Sequence, residues 1–529
     1  MSDPQRGTYY AALLEASNQG MAVHSYEPEN GRFEILCQSA IRASELNRRP
    51  STIKHIGFFT WGLRLGGAER VVCLLSELLQ SVGYKVTFFT DEPQTSGDYP
   101  HSAARVVLSL EPTERWNQIQ EFCHSLQVDL CLFADHFETR MLHDLLAAKL
   151  AGRLVIPWEH SSFFFPLYRG RPVVIHRRDK AYHAADAVAC LSDTHADFWK
   201  AAGHRRAVAL PNPLTFDRTL CPRTTGQEKN IIFIGHLREF KGAKTALRVL
   251  ADLRVSVPEA RLFFLGRFAT PTYEMECRAL AHDLHITEHV NFEGQVTDIS
   301  PYLARAAAHI MPSQCEGSPM VLMEAKAHGV PSVLFEMKYL DLASEKHGCV
   351  MVGKNDWEGM SVALTKLLQD HDYWQIMSDR AYSSLNLVDN QDVLRRWQIL
   401  FTNLEQGRVN SGNDGNSAYT NDPAMLLELA IREMTCAMSS YEQYPEHNPP
   451  EYLLIRHFLD KCLPADSRRR RYAKAIVRKI WSILSFPLRE RLLCFIKKHP
   501  RLYQLAKTVR ALMERIKSGI RRNAVNERP

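Results

Sequence analysis

From Ile53 onward the chain alternates short, mostly apolar runs with longer stretches in which apolar residues recur every three to four positions. The short runs are strand candidates: Ile53–Thr60, Tyr84–Thr90, Val128–Phe133, Leu154–Pro157, Ala187–Leu191 and Ala207–Pro211. The stretches between them read as helices, most clearly Ala68–Val82. After a connection over 211–229 the alternation restarts. Asn230–Gly235, Arg261–Gly266, Val290–Glu293, Ala308–Met311 and Ser332–Leu334 are strands, with helices near Ala243–Arg254, Tyr273–His285, Pro319–His328 and Trp357–Gln369. Strands separated by helical patterns predict a parallel sheet covered on both faces. The expected fold class is therefore α/β: two Rossmann-like domains facing a cleft, plus a mostly helical C-terminal extension. The boundaries read as an N-terminal extension over 1–50, a first domain over 51–215 and a second over 216–405. A polar Gly/Asn/Ser linker over 406–423 and a helical tail over 424–529 follow.

Length and composition agree with this plan and narrow it. A chain of 529 residues, 45% hydrophobic and 23% charged, has core enough for two or three domains. No apolar run reaches the roughly 18–20 residues that cross a bilayer, and the N-terminus lacks a signal-peptide pattern. A cytoplasmic protein is expected. The 12 cysteines are scattered, with no C-x-x-C pair, which reads as reduced core thiols. Charge is divided unevenly. From Ser467 onward there are 19 Lys and Arg against 3 Asp and Glu, leaving 46 basic and 56 acidic residues before it. A net charge of +6 thus conceals an acidic body and a strongly basic tail.

Candidate chemistry gathers at predicted strand ends. The segment Cys315–Pro331 (CEGSPMVLMEAKAHGVP) places Glu316 and Glu324 eight positions apart around a Gly317-Ser318-Pro319-Met320 turn that opens a helix. A helix N-terminus presents amides without internal partners and attracts anions. Carboxylates beside it fit a ligand that carries hydroxyls as well as phosphate. In Gly62–Arg70, Gly66 and Gly67 allow a tight turn before a helix. In Gly235–Gly242, Arg238 and Lys241 sit where they would neutralise a diphosphate. His160 follows a strand and would orient a sugar hydroxyl, with His136 a second candidate. Each signal has an ordinary alternative: a plain strand-to-helix turn, solvated basic residues, a packed histidine. No Asp-x-Asp is expected in either half to hold a divalent cation against a diphosphate, and no Walker loop, G-x-G-x-x-G or Ser-His-Asp set is evident.

Taken in order, GGAERV, LPNPL (Leu210–Leu214), GHLREFKG, VNFEGQVTDISPYLARA and the E-x7-E segment resemble the retaining, two-domain (GT-B) glycosyltransferases of family 4, the glycogen-synthase and mannosyltransferase-like group. The resemblance covers about Ile53–Leu404. It implies a metal-independent hexosyltransferase that takes a nucleoside-diphosphate sugar as donor substrate and needs no cofactor. Glu316 would be the sugar-binding carboxylate and Glu324 the ribose-binding one. Gly317, Ser318, Pro319 and Met320 would lie near the diphosphate and sugar, Lys241 on the diphosphate, Gly67 in the amide-donating turn, and His160 beside the donor sugar. Asp193 and Asn212 lie in family segments but receive no catalytic role. The family commonly has Arg directly after the glycine of GHL. Here that position is His236, with Arg238 two residues on as a substitute cation. Phe268 replaces a glycine and is expected to narrow the nucleobase space.

The expected partners are a nucleotide-sugar donor and a glycan or lipid-linked acceptor, in cell-surface polysaccharide biosynthesis. A catalytically idle nucleotide-sugar- or glycan-binding scaffold is the alternative. In the tail, Leu502, Leu505, Val509, Leu512 and Ile516 form an apolar stripe away from Lys507, Arg510, Arg515 and Lys517. Such a helix suits an anionic membrane surface, which would make the protein peripheral on the inner face of the membrane. Docking on the acidic body is the rival reading. The tail shows no nucleic-acid module, so no nucleic acid is expected.

Overall fold

The structure, a computed structural model, describes residues 32–46, 52–64, 66–134, 139–168 and 173–408, together with Leu429 and Glu433. The tail helices expected from the sequence, and His136, lie outside these residues.

The strongly apolar runs become two parallel sheets. In the N-terminal half, β1 (His55–Thr60), β2 (Lys85–Thr90), β3 (Ala104–Val107), β4 (Leu130–Phe133), β5 (Leu154–Glu159), β6 (Val188–Cys190) and β7 (Ala207–Ala209) are arranged β3-β2-β1-β4-β5-β6-β7. The second half has β8 (Asn230–Ile234), β9 (Arg261–Leu265), β10 (Val290–Gly294), β11 (Ala306–Met311), β12 (Ser332–Phe335) and β13 (Cys349–Val352), in the order β10-β9-β8-β11-β12-β13. The strand order reverses between β1 and β4, and again between β8 and β11. Ligands of open α/β sheets bind beyond the carboxyl ends at such a reversal.

Burial on both faces explains why β1, β4, β5, β11 and β12 read as continuous apolar runs: every residue in each is buried. The edge strand β3, which the apolar pattern does not reveal, has no buried residue. β13, equally absent from the pattern, has one, Cys349. β3 pairs only with β2 and β13 only with β12, and each is four residues long.

Two helices join the halves to their surroundings in ways that chain order does not indicate. The helix Arg32–Leu46, within the segment read as an extension, buries Phe33, Leu36, Cys37 and Ala40 against Thr139–Leu150 and Val173–Tyr182. It is thus part of the N-terminal core. The helix Asn390–Glu405 follows the second sheet in sequence, yet it packs Val393, Leu394, Trp397, Leu400, Phe401 and Leu404 among residues of β1, β2, β4 and β5. Each such side chain is worth about 1.5–3 kcal/mol of burial. Hydrogen bonds reinforce the return: Ile53 N–H donates to Glu405 Oε1 at 2.6 Å. Asn390 exchanges two more with the Leu214 backbone, at 2.7 and 2.9 Å.

Candidate active site

The C-terminal half supplies two loops at its strand reversal. After β8 the chain turns through Gly235 (φ 135°) and a short helical turn, Glu239–Lys241, to Gly242 (φ 79°). A Cβ on Gly242 would stand 2.4 Å from the Pro312 carbonyl oxygen, so glycine lets this loop close on the one after β11. Gln314 N–H donates to the Phe240 carbonyl at 2.8 Å and ties the loops together. Across that tie, Lys241 Nζ lies 2.6 Å from Glu316 Oε1, with the two side chains 26% and 10% exposed. Helix Met320–Ala327 then begins at Pro319 without a side-chain cap, so its first amides are not used by a capping residue. Ser318 is half-buried, while Gly317, Pro319 and Met320 are buried.

His236 has cations on both sides. Arg267 Nε donates to its Nε2 at 2.9 Å, and Arg238 Nη2 lies 3.4 Å from its Nδ1. Burial first, then Arg238, Arg267 and Lys241, pull its pKa down to about 4, so the ring is neutral at pH 7. Sequence reasoning had found Arg238 but not Arg267. Its signal was the Gly266-Arg267 pair closing β9, the strand beside β8. A Cβ on Gly266 would meet the Gly235 carbonyl at 2.0 Å, so glycine brings these two strand ends together. Phe268 is half-buried and turned toward Phe292 and Tyr273, with ring centroids 5.3 and 6.3 Å away.

The N-terminal half faces these loops directly. Gly66, extended, precedes the helix Gly67–Ser81, and a Cβ on Gly67 would lie 3.4 Å from Met320 Cγ. One turn on, Arg70 Nη1 donates to Glu324 Oε1 at 2.7 Å and its Nη2 to the Thr215 carbonyl at 2.8 Å. Burial raises the Glu324 carboxyl above its ordinary range, and Arg70 pulls it back. Asn212 Nδ2 lies 3.9 Å from Met320 Sδ.

His160 stands at the end of β5, its ring tilted by 51° against that of Trp158 with centroids 4.1 Å apart. Its neighbour Glu159 explains that position. The buried Glu159 carboxylate accepts from Arg178 Nη1 at 2.6 Å and from the Tyr182 hydroxyl, while Arg178 Nη2 donates to the Phe163 carbonyl at 3.1 Å. This network, unnoticed in the sequence, fixes the turn that carries His160. Gly317 completes the contact across the cleft: a Cβ there would lie 2.5 Å from the His160 carbonyl and 2.7 Å from Ser161 Cα. The residues singled out in the sequence therefore meet from both halves, joined by Arg70 and Arg267.

Two groupings of acidic and imidazole side chains lie away from the cleft. The triplet Asp370-His371-Asp372 has Asp-x-Asp spacing, but Asp370 caps the helix His371–Ser384 by accepting from Tyr373 N–H. Among the described residues, Asp179, His183 and His204 have ligand atoms within 4.8 Å of one another. His204 precedes β7, at the end of the sheet opposite the cleft.

The likeness to known proteins extends over both halves of the chain. The family model described as Glycosyl transferases group 1 matches residues 228–370, and that described as Glycosyltransferase Family 4 matches residues 65–218. An uncharacterized glycosyltransferase of Haemophilus influenzae is 26% identical over 366 residues, covering 65% of this chain and 99% of its own. The Anabaena HepE protein, solved in complex with UDP-glucose, superimposes with a TM-score of 0.55 at 16% identity, over 66% of this chain and 99% of its own. WaaG, a glycosyltransferase involved in lipopolysaccharide biosynthesis, gives 0.53 at 17% identity over 68% and 100%. The fold is the two-domain GT-B arrangement, and the cleft lies where its two sheets present their carboxyl ends to each other.

Proposed function

We propose that this chain, which resembles the group 1 glycosyltransferases across both halves, moves a hexose from a nucleoside diphosphate to a hydroxyl of a glycan or lipid-linked acceptor. The observation that carries this reading is the Lys241–Glu316 pair at a strand reversal, opposite His160. A bound donor would separate the pair: Lys241 turns to the diphosphate and Glu316 to a sugar hydroxyl. Lys241, Arg238, Arg267 and the uncapped amides after Glu316 would stabilise charge on the departing diphosphate. His236 is neutral and adds no cation. Glu324 would receive the ribose in place of Arg70, and His160 would orient the sugar.

The backbone approach of Gly317 to His160 supports a closed cleft, from which water that would hydrolyse the donor is excluded. Attack from the face the diphosphate leaves would retain the anomeric configuration, with the donor phosphate taking the acceptor proton. The step uses no resident metal. An acceptor in cell-surface polysaccharide synthesis is our reading, supported by the likeness to WaaG, a glycosyltransferase involved in lipopolysaccharide biosynthesis. No helix of the described residues is long and apolar enough to cross a membrane. The basic tail is read as an anchor to an anionic inner surface, which deleting 467–529 should weaken in liposome co-sedimentation.

Turnover of UDP-, GDP- and ADP-sugars tests the reading. UDP-sugars come first because HepE was solved with UDP-glucose. Release of nucleotide with an α-linked product from an α-linked donor, unaffected by EDTA, is expected. Donor binding without nucleotide release would instead identify a scaffold.

A further inference from the structure

Behind the Lys241–Glu316 pair, three side chains from three parts of the chain meet, two of them closed to water. Lys354 follows β13 in the C-terminal half. Tyr168 ends the short helix Phe165–Tyr168 of the N-terminal half, and Glu433 belongs to the C-terminal extension. The Lys354 and Glu433 side chains are 2% and 1% exposed. Lys354 Nζ donates to Glu433 Oε2 at 2.5 Å, to the Tyr168 hydroxyl at 2.8 Å and to the Gln314 carbonyl at 2.9 Å. The Tyr168 hydroxyl donates to the same Glu433 oxygen at 2.9 Å. All three ammonium protons are thereby used. Leu429, four positions before Glu433, is buried in the core that also holds Cys315, Met337 and Tyr339.

Gln314 is what connects this cluster to the cleft. Its carbonyl faces Lys354, its N–H holds the carbonyl of Phe240, and Cys315 and Glu316 follow it directly. Phe240 in turn precedes Lys241. One peptide segment therefore links both members of the Lys241–Glu316 pair to Lys354, and Lys354 is held by a carboxylate from outside both sheets. Remove that carboxylate and the ammonium is left as an uncompensated buried charge, which draws it toward water and away from Gln314.

We propose that Glu433 is a positioning residue for donor binding: by holding Lys354 against the Gln314 carbonyl it sets the placement of Lys241 and Glu316. Glu433 is then part of the working enzyme, bridging Tyr168 of the N-terminal half and Lys354 of the C-terminal half. This rests on the donor site proposed above.

The test uses the full chain and two variants. Glu433→Ala is expected to lower kcat/KM for the donor at least tenfold, mainly through donor KM, and to leave acceptor KM unchanged. It should also speed hydrogen exchange in the peptide spanning Gln314–Met320. The double variant Lys354→Met with Glu433→Met separates positioning from stability, because an apolar pair in place of a buried ion pair commonly preserves the fold. It should melt at or above the parent temperature and yet show the raised donor KM and the faster exchange. A double variant with parental donor KM and parental exchange would overturn the proposal and leave the cluster a simple staple. If the parent itself turns over no nucleotide-sugar, the transferase reading fails. The exchange comparison then decides the Glu433 proposal alone.

Discussion

Lys241 Nζ and Glu316 Oε1 lie 2.6 Å apart, on loops that leave two adjacent strands, β8 and β11. Each satisfies the other's charge in a partly buried place, so neither is left exposed in the cleft before a ligand arrives. The pair is also easily exchanged: Lys offers a compact, mobile cation and Glu an acceptor for hydroxyls. Glu316→Gln should keep the fold and lower kcat/KM by about 10²–10³-fold, the range seen when one preorganised polar contact is removed. Circular dichroism and steady-state turnover check both halves of that statement. Wild-type turnover would remove Glu316 from the mechanism.

Arg70 is the counterpart on the other side of the cleft. It holds Glu324 and the Thr215 carbonyl together, a fork that Lys cannot reproduce from one point charge. Arg70→Leu leaves the buried Glu324 carboxylate without a donor and should cost about 1–3 kcal/mol, toward the low end because Arg70 is one-third exposed. The shift is read from urea midpoints. Arg70→Lys is expected to recover only part of it.

Gly317 tests how closely the halves must approach. Its backbone lies against the His160 carbonyl and Ser161 Cα, neither of which is the far end of a flexible side chain. Gly317→Ala should push the loop from His160, and a displacement near 1 Å can cost about 10²-fold in rate. The melting temperature should also fall, since Gly317 is buried beside the core that holds Cys315, Phe163 and Phe164. Unimpaired turnover by the alanine variant would mean that the halves work at a wider separation.

Acid should destabilise the protein through two buried histidines. His195 and His309 are pulled to about 4, in both cases mainly by burial, from an unfolded value of 6.5. Between pH 4 and 6.5 the unfolded chain therefore binds more protons. Stability is full above 6.5 and falls as pH drops toward 4, by about 1.4 kcal/mol per pH unit for each histidine. Burial raises the Asp91 and Glu324 carboxyls, and these oppose the trend. The informative quantity is thus the difference between parent and His195→Gln in urea midpoint against pH. The variant should show the shallower slope, and equal slopes would remove His195 from the effect.

The sequence was most legible where a segment's apolar pattern and its tertiary burial coincide. β1, β8 and β11, with the loops that leave them, stand out because their central residues are buried and mostly apolar. β3 and β13, four residues each, go unread, and edge position alone does not account for it, since the edge strands β7 and β10 are legible. Lys241 and Glu316 were visible as residues at strand ends. Arg267 escaped notice because its role depends on β9 lying next to β8, and Glu159 because its partners, Arg178 and Tyr182, come from the helix that follows.

By itself the sequence determined the alternation of strands and helices, the doubled α/β plan and the chemical types gathered at the strand ends. These follow from local periodicity and from where turns and helix starts must fall. Tertiary structure alone decided the partners. Arg70 meets Glu324 across 254 positions, Asn390–Glu405 returns to the first sheet, and Glu433 reaches Lys354 from beyond the second. Charge pairing and burial depend on distance in space and on exclusion of water. Neither quantity exists until the chain has folded.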